Sequence, residues 1–363
     1  MSWVIVFLGF CALIMLHEAG HYFAAKATGM RVEKFFLFFG PKLWSFRRGE
    51  TEYGVASIPL GGYVKISGMS PEEELPPEVA DRAYYRQPVW KRIVVIAAGP
   101  AVNVVLAFLI LAGVFYFSAA QPSREVERVE PGTAAAGVLR PGDRIVAVDG
   151  HRFAGLDAEA RNERFRDLVA AHRCPGRQVD GCVAATPVRL TFSRGGELRT
   201  VSLRPRYDAE AGRALIGFAY GSEPAQISLG TAAGRALDAI WTVTERTAEV
   251  FSRIFEAEQR RQLSGVVGIS DAGHRAVETS ATQALLLLAL VSLSLGIINL
   301  LPILPLDGGH IFWSLVEKAR GRPVSLRVME RASIVGFAFV AVLFFIGLSN
   351  DLGRLGTDSL EAR

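Results

Sequence analysis

The chain alternates long apolar stretches with polar segments, and the stretches differ in length and in how they are interrupted. Trp3–Leu16 is apolar and leads straight into "HEAGH". Ile93–Phe117 is uncharged for 25 residues, Ala284–Leu306 for 23 and Ala332–Leu348 for 17. A hydrocarbon core about 30 Å thick takes roughly 20 helical residues, so the pattern predicts four transmembrane helices. The first run lacks a charged leading region and a small-x-small cleavage site, which predicts a retained helix and not a signal peptide.

The intervening segments carry other periodicities. In Gly40–Gly68, glycines punctuate the β-formers Trp44, Phe46, Tyr53, Val55, Ile58, Tyr63, Val64 and Ile66, which predicts short strands. "EEELPPE" (Glu72–Glu78) reads as a solvated acidic linker with no further role. Glu125–Arg204 alternates strand-like pieces with Pro-Gly and Gly-Asp turns, and two alternating runs meet at Gly195-Gly196 as a hairpin. That is enough chain for one small β-rich domain. In Leu229–Ala257 the apolar residues recur at helical spacing, interrupted by Asp238, Glu245, Arg246, Glu249, Arg253 and Glu256. This predicts an amphipathic helix, lying on the outer membrane surface or packed on the external domain.

The expected fold is a polytopic α-helical membrane protein with four transmembrane helices, a β-loop and an external β-rich domain. Its divisions are 1–117 (a first membrane half), 122–206 (the β-rich domain), 227–270 (amphipathic helix and connection), 281–349 (a second membrane half) and 350–363 (a short external tail).

Charge adds orientation. The chain has 40 Lys+Arg against 36 Asp+Glu, a net +4. Lys26, Arg31, Lys34, Lys42, Arg47, Arg48, Lys91 and Arg92 lie between the first two spans; Lys318, Arg320, Arg322, Arg327 and Arg331 lie between the last two. The positive-inside rule makes both loops cytoplasmic and places both termini and 118–283 outside. The expected location is therefore the inner (cytoplasmic) membrane, multi-pass. The basic residues show no aromatic interleaving and no single stripe, so no nucleic-acid partner is expected. Of three cysteines, Cys174 and Cys182 either close a small loop in an oxidising compartment or remain two thiols.

The polar residues inside the first apolar run carry the chemistry. "HEAGH" matches H-E-x-x-H, in which two histidines four apart bind zinc and the glutamate activates water. At about 100° per residue, His21 falls about 40° from His17 and Glu18 about 100° from it, so one helical arc holds all three. Unpaired ionisable groups in hydrocarbon are costly, and they are functional by default. A hydrolytic zinc site takes three protein ligands, and "NLLPILPLDGGH" supplies the third, Asp307, with His310 as the lower-ranked alternative. One zinc ion per chain is expected, with Glu18 as general base and acid.

Together these residues resemble the site-2 protease family of intramembrane zinc metalloproteases, and within it the RseP-type (regulator of sigma-E protease) branch. "HEAGHYFAAK" and "NLLPILPLDGGH" are similar to its two metal-site motifs, and "AAGPAVNVVLA" (Ala97–Ala107) to its G-P-x-x-N helix. "PLGGYVKISGM" (Pro59–Met69) is similar to its membrane-associated β-loop. "LSGVVGI" (Leu263–Ile269) is similar to its S-G-P-x-G-I segment, with Val266 where the family has proline. "VEPGTAAAGVLRPGDRIVAVDG" makes the external domain resemble a PDZ domain. The resemblance implies His17, His21 and Asp307 as zinc ligands and Glu18 as catalytic. It implies Asn299 and Asn103 as residues contacting substrate or its path. A β-loop that captures an unwound substrate strand would use Gly61 and Gly62 for close backbone approach. The implied substrates are single-span membrane proteins, anti-sigma factors or remnant signal peptides, cleaved in regulated intramembrane proteolysis. The PDZ-like domain would bind a peptide C-terminus or act as a size filter, and the lipid bilayer is the remaining partner.

Two other classes are less well supported. A non-catalytic scaffold would need zinc ligands but no base beside them, and Glu18 is that base. A cation transporter would be expected to show paired repeats between its halves, and none is visible.

Overall fold

A computed structural model describes residues 1–69, 73–254, 256, 260 and 264–361 of the chain. It divides into two compact units, one of Met1–Phe117 with Ser228–Arg363 and one of Ser118–Ile227.

The first unit is helical because in lipid a backbone must satisfy its own polar groups. Its elements are α1 (Ser2–Ala27), strands β1 (Val32–Arg48) and β2 (Thr51–Ile66), the short helix α2 (Pro77–Ala80) and α3 (Val89–Phe117). After the second unit come α5 (Leu229–Ser252), α6 (Val266–Thr279), α7 (Ala281–Asn299), α8 (Asp307–Arg320) and α9 (Leu326–Glu361). Among the described residues four helices are long and apolar enough to cross a membrane: Ser2–Ala27, Val89–Phe117, Ala281–Asn299 and Leu326–Arg354. These are the four expected. Local chemistry sets their ends. The Thr28 hydroxyl donates to Ala24 O at 2.8 Å where α1 stops. Ser280 Oγ accepts from Gln283 N at the start of α7. Gly321, with φ 65°, closes α8 in the left-handed conformation.

The tail expected at 350–363 is instead helical through Glu361, with 362–363 outside the described residues. The buried Asp351 explains why the chain does not leave the helix there: its carboxylate accepts from Gly265 N at 3.1 Å and Gly268 N at 2.8 Å. It thereby satisfies orphan donors at the start of α6. That start is the S-G-x-x-G-I segment, of which Leu263 lies outside the described residues.

Strands β1 and β2 form the β-loop. They are antiparallel overall, and both bend so that residues 34–37 register with 62–65 as well as with 52–55. Residues 62–66 are left along one margin of this small sheet. The turn between the strands is anchored by Glu50, which takes Arg82 Nη1 and Nη2 at 2.7 and 2.8 Å and Lys26 Nζ at 2.5 Å. The Arg82 hydrogen bonds, against some desolvation, hold the Glu50 carboxyl down at about 2. The acidic linker also has more of a role than expected: Glu73 pairs with Lys65 at 2.9 Å and accepts from Gly68 N, while residues 70–72 lie outside the described residues.

Helix α5 ends at Ser252, and Ala257, where the amphipathic segment was expected to end, lies outside the described residues. Within the helix, the small residue Ala236 is fully buried with Leu111 of α3 and Ala289 of α7, flanked by Phe108, Phe115, Ile240 and Leu286. A small side chain lets two helices approach closely, which suits packing in lipid.

The second unit is a sheet ordered β10-β3-β4-β6-β7, formed by β3 (Ala120–Val129), β4 (Arg144–Val148), β6 (Val188–Arg194), β7 (Glu197–Leu203) and β10 (Phe218–Pro224). The short strand β5 (His151–Arg152) pairs with β4; β8 (Arg206–Asp208) and β9 (Arg213–Leu215) form a separate pair; helix α4 (Ala158–Ala170) completes the unit. The hairpin at Gly195-Gly196 is present, with Arg194 opposite Glu197 and Val188 opposite Leu203. The core is Val126, Leu139, Ile145, Val148, Phe153, Val188, Leu190 and Phe192 with their neighbours. The sheet runs past residue 206, where the domain was expected to end, because β10 pairs with β3 some 90 residues earlier. "FAYGSEP" has little strand pattern of its own; its pairing comes from the distant partner. Cys174 and Cys182 are joined as a disulfide with Cα atoms 6.1 Å apart.

Candidate metal centre

Helix α1 places His17 and His21 one turn apart, and both are buried. Asp307 is the first residue of α8, where the helix dipole favours a carboxylate. Close packing brings these distant segments together. A Cβ on Gly308 or Gly309 would run into the backbone of Leu300–Leu304, so the double glycine lets α8 fold back on its own approach loop. A Cβ on Gly20 would stand 2.5 Å from Ala98 O, and one on Gly99 would strike the His21 ring. Glycine on both faces therefore draws α1 against α3.

The result is a triangle. His17 Nε2 lies 3.2 Å from Asp307 Oδ2, His21 Nε2 lies 3.3 Å from the same oxygen, and the two Nε2 atoms are 3.3 Å apart. Tetrahedral zinc with arms of about 2.0–2.1 Å sets its ligands about 3.3–3.4 Å from one another. Asp307 Oδ2 is buried, and among the described residues its neighbours at hydrogen-bond distance are these two ring nitrogens, themselves candidate ligands, as suits an oxygen that shares a cation with them. Among the described residues these three form the group of His, Cys, Asp and Glu able to hold a metal ion. Nitrogen and oxygen donors in this number and spacing fit zinc.

Both histidines are held from behind by α3. His21 Nδ1 lies 2.9 Å from Val95 O, and His17 Nδ1 lies 3.2 Å from the Asn103 amide. Ser292 of α7 donates to Asn103 O at 2.9 Å and fixes α3 at that level. Nothing in the sequence pattern marked Val95, because a backbone carbonyl leaves no residue signature.

Glu18 is half-buried beside the triangle, and β2 runs across it. A Cβ on Gly62 would stand 3.0 Å from Glu18 Cγ and from Ile14 Cγ2, and the Val64 backbone faces the Glu18 carboxylate. Gly62 therefore allows the β-loop to approach α1 closely. Gly61 has φ 140° and faces the Phe39 ring. Asn103 is fully buried against His17. Asn299 closes α7 half-buried, and among the described residues none of the hydrogen bonds to His17, His21 or Asp307 comes from it.

His310 stands apart from the triangle. It lines a cavity of 190 Å³ together with Tyr84, Arg92, Ser314 and Glu317. Arg92 holds Glu317 through both guanidinium nitrogens at 2.7 and 3.1 Å. Burial pushes the Tyr84 hydroxyl up to about 12, so it stays neutral.

The chain is similar to known proteins over most of its length. The family model described as peptidase family M50 matches residues 5–343. The zinc metalloprotease Rip1 of Mycobacterium tuberculosis is 33% identical over 89% of this chain and 87% of its own length. A putative zinc metalloprotease of Rhizobium meliloti is 31% identical over 94% of each chain, and one of Nostoc sp. is 29% identical over 95% and 94%. Among solved structures, the PDZ domain of the SdrC-like protein from Listeria innocua covers 28% of this chain and 97% of its own, at 20% identity and a TM-score of 0.22. With the match running from the first membrane helix to the last and enclosing both metal-site segments, the chain belongs to peptidase family M50, the site-2 protease family.

Proposed function

We propose that this zinc metalloprotease hydrolyses peptide bonds within the transmembrane segments of single-span membrane proteins, with His17, His21 and Asp307 as ligands and Glu18 as general base and acid. The observation that carries the reading is the buried triangle with Glu18 alongside, on a helix apolar enough to span a bilayer. Zinc held there supplies Lewis acidity for the scissile carbonyl and brings the pKa of water toward neutrality. Glu18 takes the proton of that water and returns it to the leaving amine. Val64 and Gly62 hold Glu18 from the β-loop side, so the base is positioned by the same strand that lies along the sheet margin.

That margin supports a capture role. A transmembrane helix has its peptides satisfied internally and must unwind before its carbonyl is reached. An unwound segment adding to residues 62–66 would recover its hydrogen bonds beside Glu18. In the second unit a cavity of 260 Å³ lies between α4 and β10, lined by Phe165, Val169, Ile216, Phe218 and Tyr220. This supports a peptide C-terminus as its ligand, such as one left when an anti-sigma factor is trimmed outside the membrane. The basic loops and the disulfide support the inner membrane, with the metal centre toward the cytoplasm and 118–227 in an oxidising compartment.

The test is Glu18→Gln in the full chain, reconstituted with a single-span model substrate. Cleavage should fall by about 10²–10⁴-fold while one zinc per chain remains bound. Turnover that survives in this variant overturns the assignment of the base.

A further inference from the structure

We propose that Asn103 is a positioning residue whose side-chain oxygen accepts the Nδ1 proton of His17, fixing the imidazole in the tautomer that presents the Nε2 lone pair to the metal. The proposal rests on the reading of His17, His21 and Asp307 as the ligand set.

A neutral imidazole carries one proton. A histidine that binds metal through Nε2 carries that proton on Nδ1 and must find it an acceptor. For His21 the acceptor is Val95 O at 2.9 Å, a carbonyl that can only accept, so its tautomer is fixed by the backbone. For His17 the group at Nδ1 is the Asn103 amide at 3.2 Å, in a place with no exposure to solvent. An amide can meet Nδ1 in two ways. With Nδ2 toward the ring it donates, which forces the proton onto Nε2 and points it at Asp307 Oδ2, 3.2 Å away. That arrangement suits a centre without metal, and it leaves Asn103 Oδ1 buried and without a partner. With the amide turned by half a rotation, Oδ1 accepts from Nδ1–H and Nε2 is free to ligate. The two orientations differ only in which atom is oxygen, which is assigned from hydrogen bonding and not from shape. Zinc binding through Nε2 selects the second.

The layout of α3 agrees. His17 and His21 lie on successive turns of α1, and α3 offers each an acceptor, Asn103 and Val95, in reversed order along the chain. Ser292 ties the Asn103 backbone to α7, so the amide is held on a fixed support.

The test uses the full chain in detergent, comparing wild type, Asn103→Leu, Asn103→Asp and His17→Ala. Zinc affinity is measured by chelator competition, and ligand geometry by the absorption spectrum of the cobalt-substituted protein. Leucine fills the space without a hydrogen bond and should weaken zinc binding by about 10–100-fold, with an altered cobalt spectrum. Aspartate can accept but not donate, and should keep affinity near that of wild type. Equal affinity in wild type and Asn103→Leu overturns the proposal, as does a loss in Asn103→Asp as large as in Asn103→Leu. If Asn103→Leu does not fold, Asn103→Asp against wild type decides alone, because an amide acting as donor would not survive that change. His17→Ala tests the ligand reading separately: unchanged zinc affinity there removes the ligand set, whatever Asn103 does.

Discussion

Gly99 has a role that its own chemistry does not announce. It faces the His21 ring so closely that a methyl group there would collide with Nε2, the ligating atom. Overpacking of this kind costs about 1–3 kcal/mol, and here the strain falls on a metal ligand. Gly99→Ala should therefore weaken zinc binding by roughly tenfold or more, read by chelator competition. Unchanged affinity would show that α3 can move away from α1 without cost. Two kinds of legibility meet at this scale. His17, Glu18, His21 and Asp307 are visible in the sequence because the proposed chemistry falls to their side chains. Gly20, Gly99 and Val95 are not, because they act through the absence of a side chain or through the backbone.

Among the elements, the β-loop is joined to the helices at both ends. Gly62 and Val64 meet Glu18 at one end, and Glu50 is gripped by Arg82 and Lys26 at the other. The Val64 backbone faces Glu18, so proline is the informative replacement there. Val64→Pro should impair cleavage with zinc still bound, whereas Val64→Ala, which keeps the N–H, should cleave nearly as wild type. Equal activity in the two variants would leave the positioning of Glu18 by β2 without support. The Glu50 end responds to pH. Its folded pKa of about 2 lies below the unfolded carboxylate value near 4.3, so its stabilisation is complete above the unfolded value. It is lost as pH falls from there through about 2. Proteolysis of the 49–50 turn should accelerate across that window in wild type, and Glu50→Gln should remove the dependence.

For the whole molecule the two units follow different rules. The helical unit is held in lipid by small-residue contacts and a few buried polar ties, and the Ser118–Ile227 unit by a sheet core, a disulfide and a buried ion pair. In that pair Arg194, with the Arg140 backbone, holds the Asp143 carboxyl below its usual range, which makes "PGD" a structural signature of this unit. The proposed orientation makes a direct prediction. A membrane-impermeant thiol reagent should label Cys174 and Cys182 from the outer side after reduction, and neither without it. Labelling confined to inside-out vesicles would reverse the topology.

The sequence by itself determined the membrane class and the number of spans, and it singled out His17, Glu18, His21 and Asp307 as the proposed site. These are one-dimensional properties: an uncharged run has the length of a bilayer, and H-E-x-x-H has the period of a helix. It also pointed to Asp307 as the third ligand, because a carboxylate beside prolines and a double glycine at the end of an apolar run is poised to turn inward. Only the tertiary structure decided that the two histidines and Asp307, 290 residues after His17, close to a 3.2–3.3 Å triangle. It also set Asn103 behind His17 and Gly62 against Glu18, and completed the second sheet with β10. The reason is common to all of these. Each depends on a partner distant in the chain, and a local pattern records what a residue can do but not which segment it will meet.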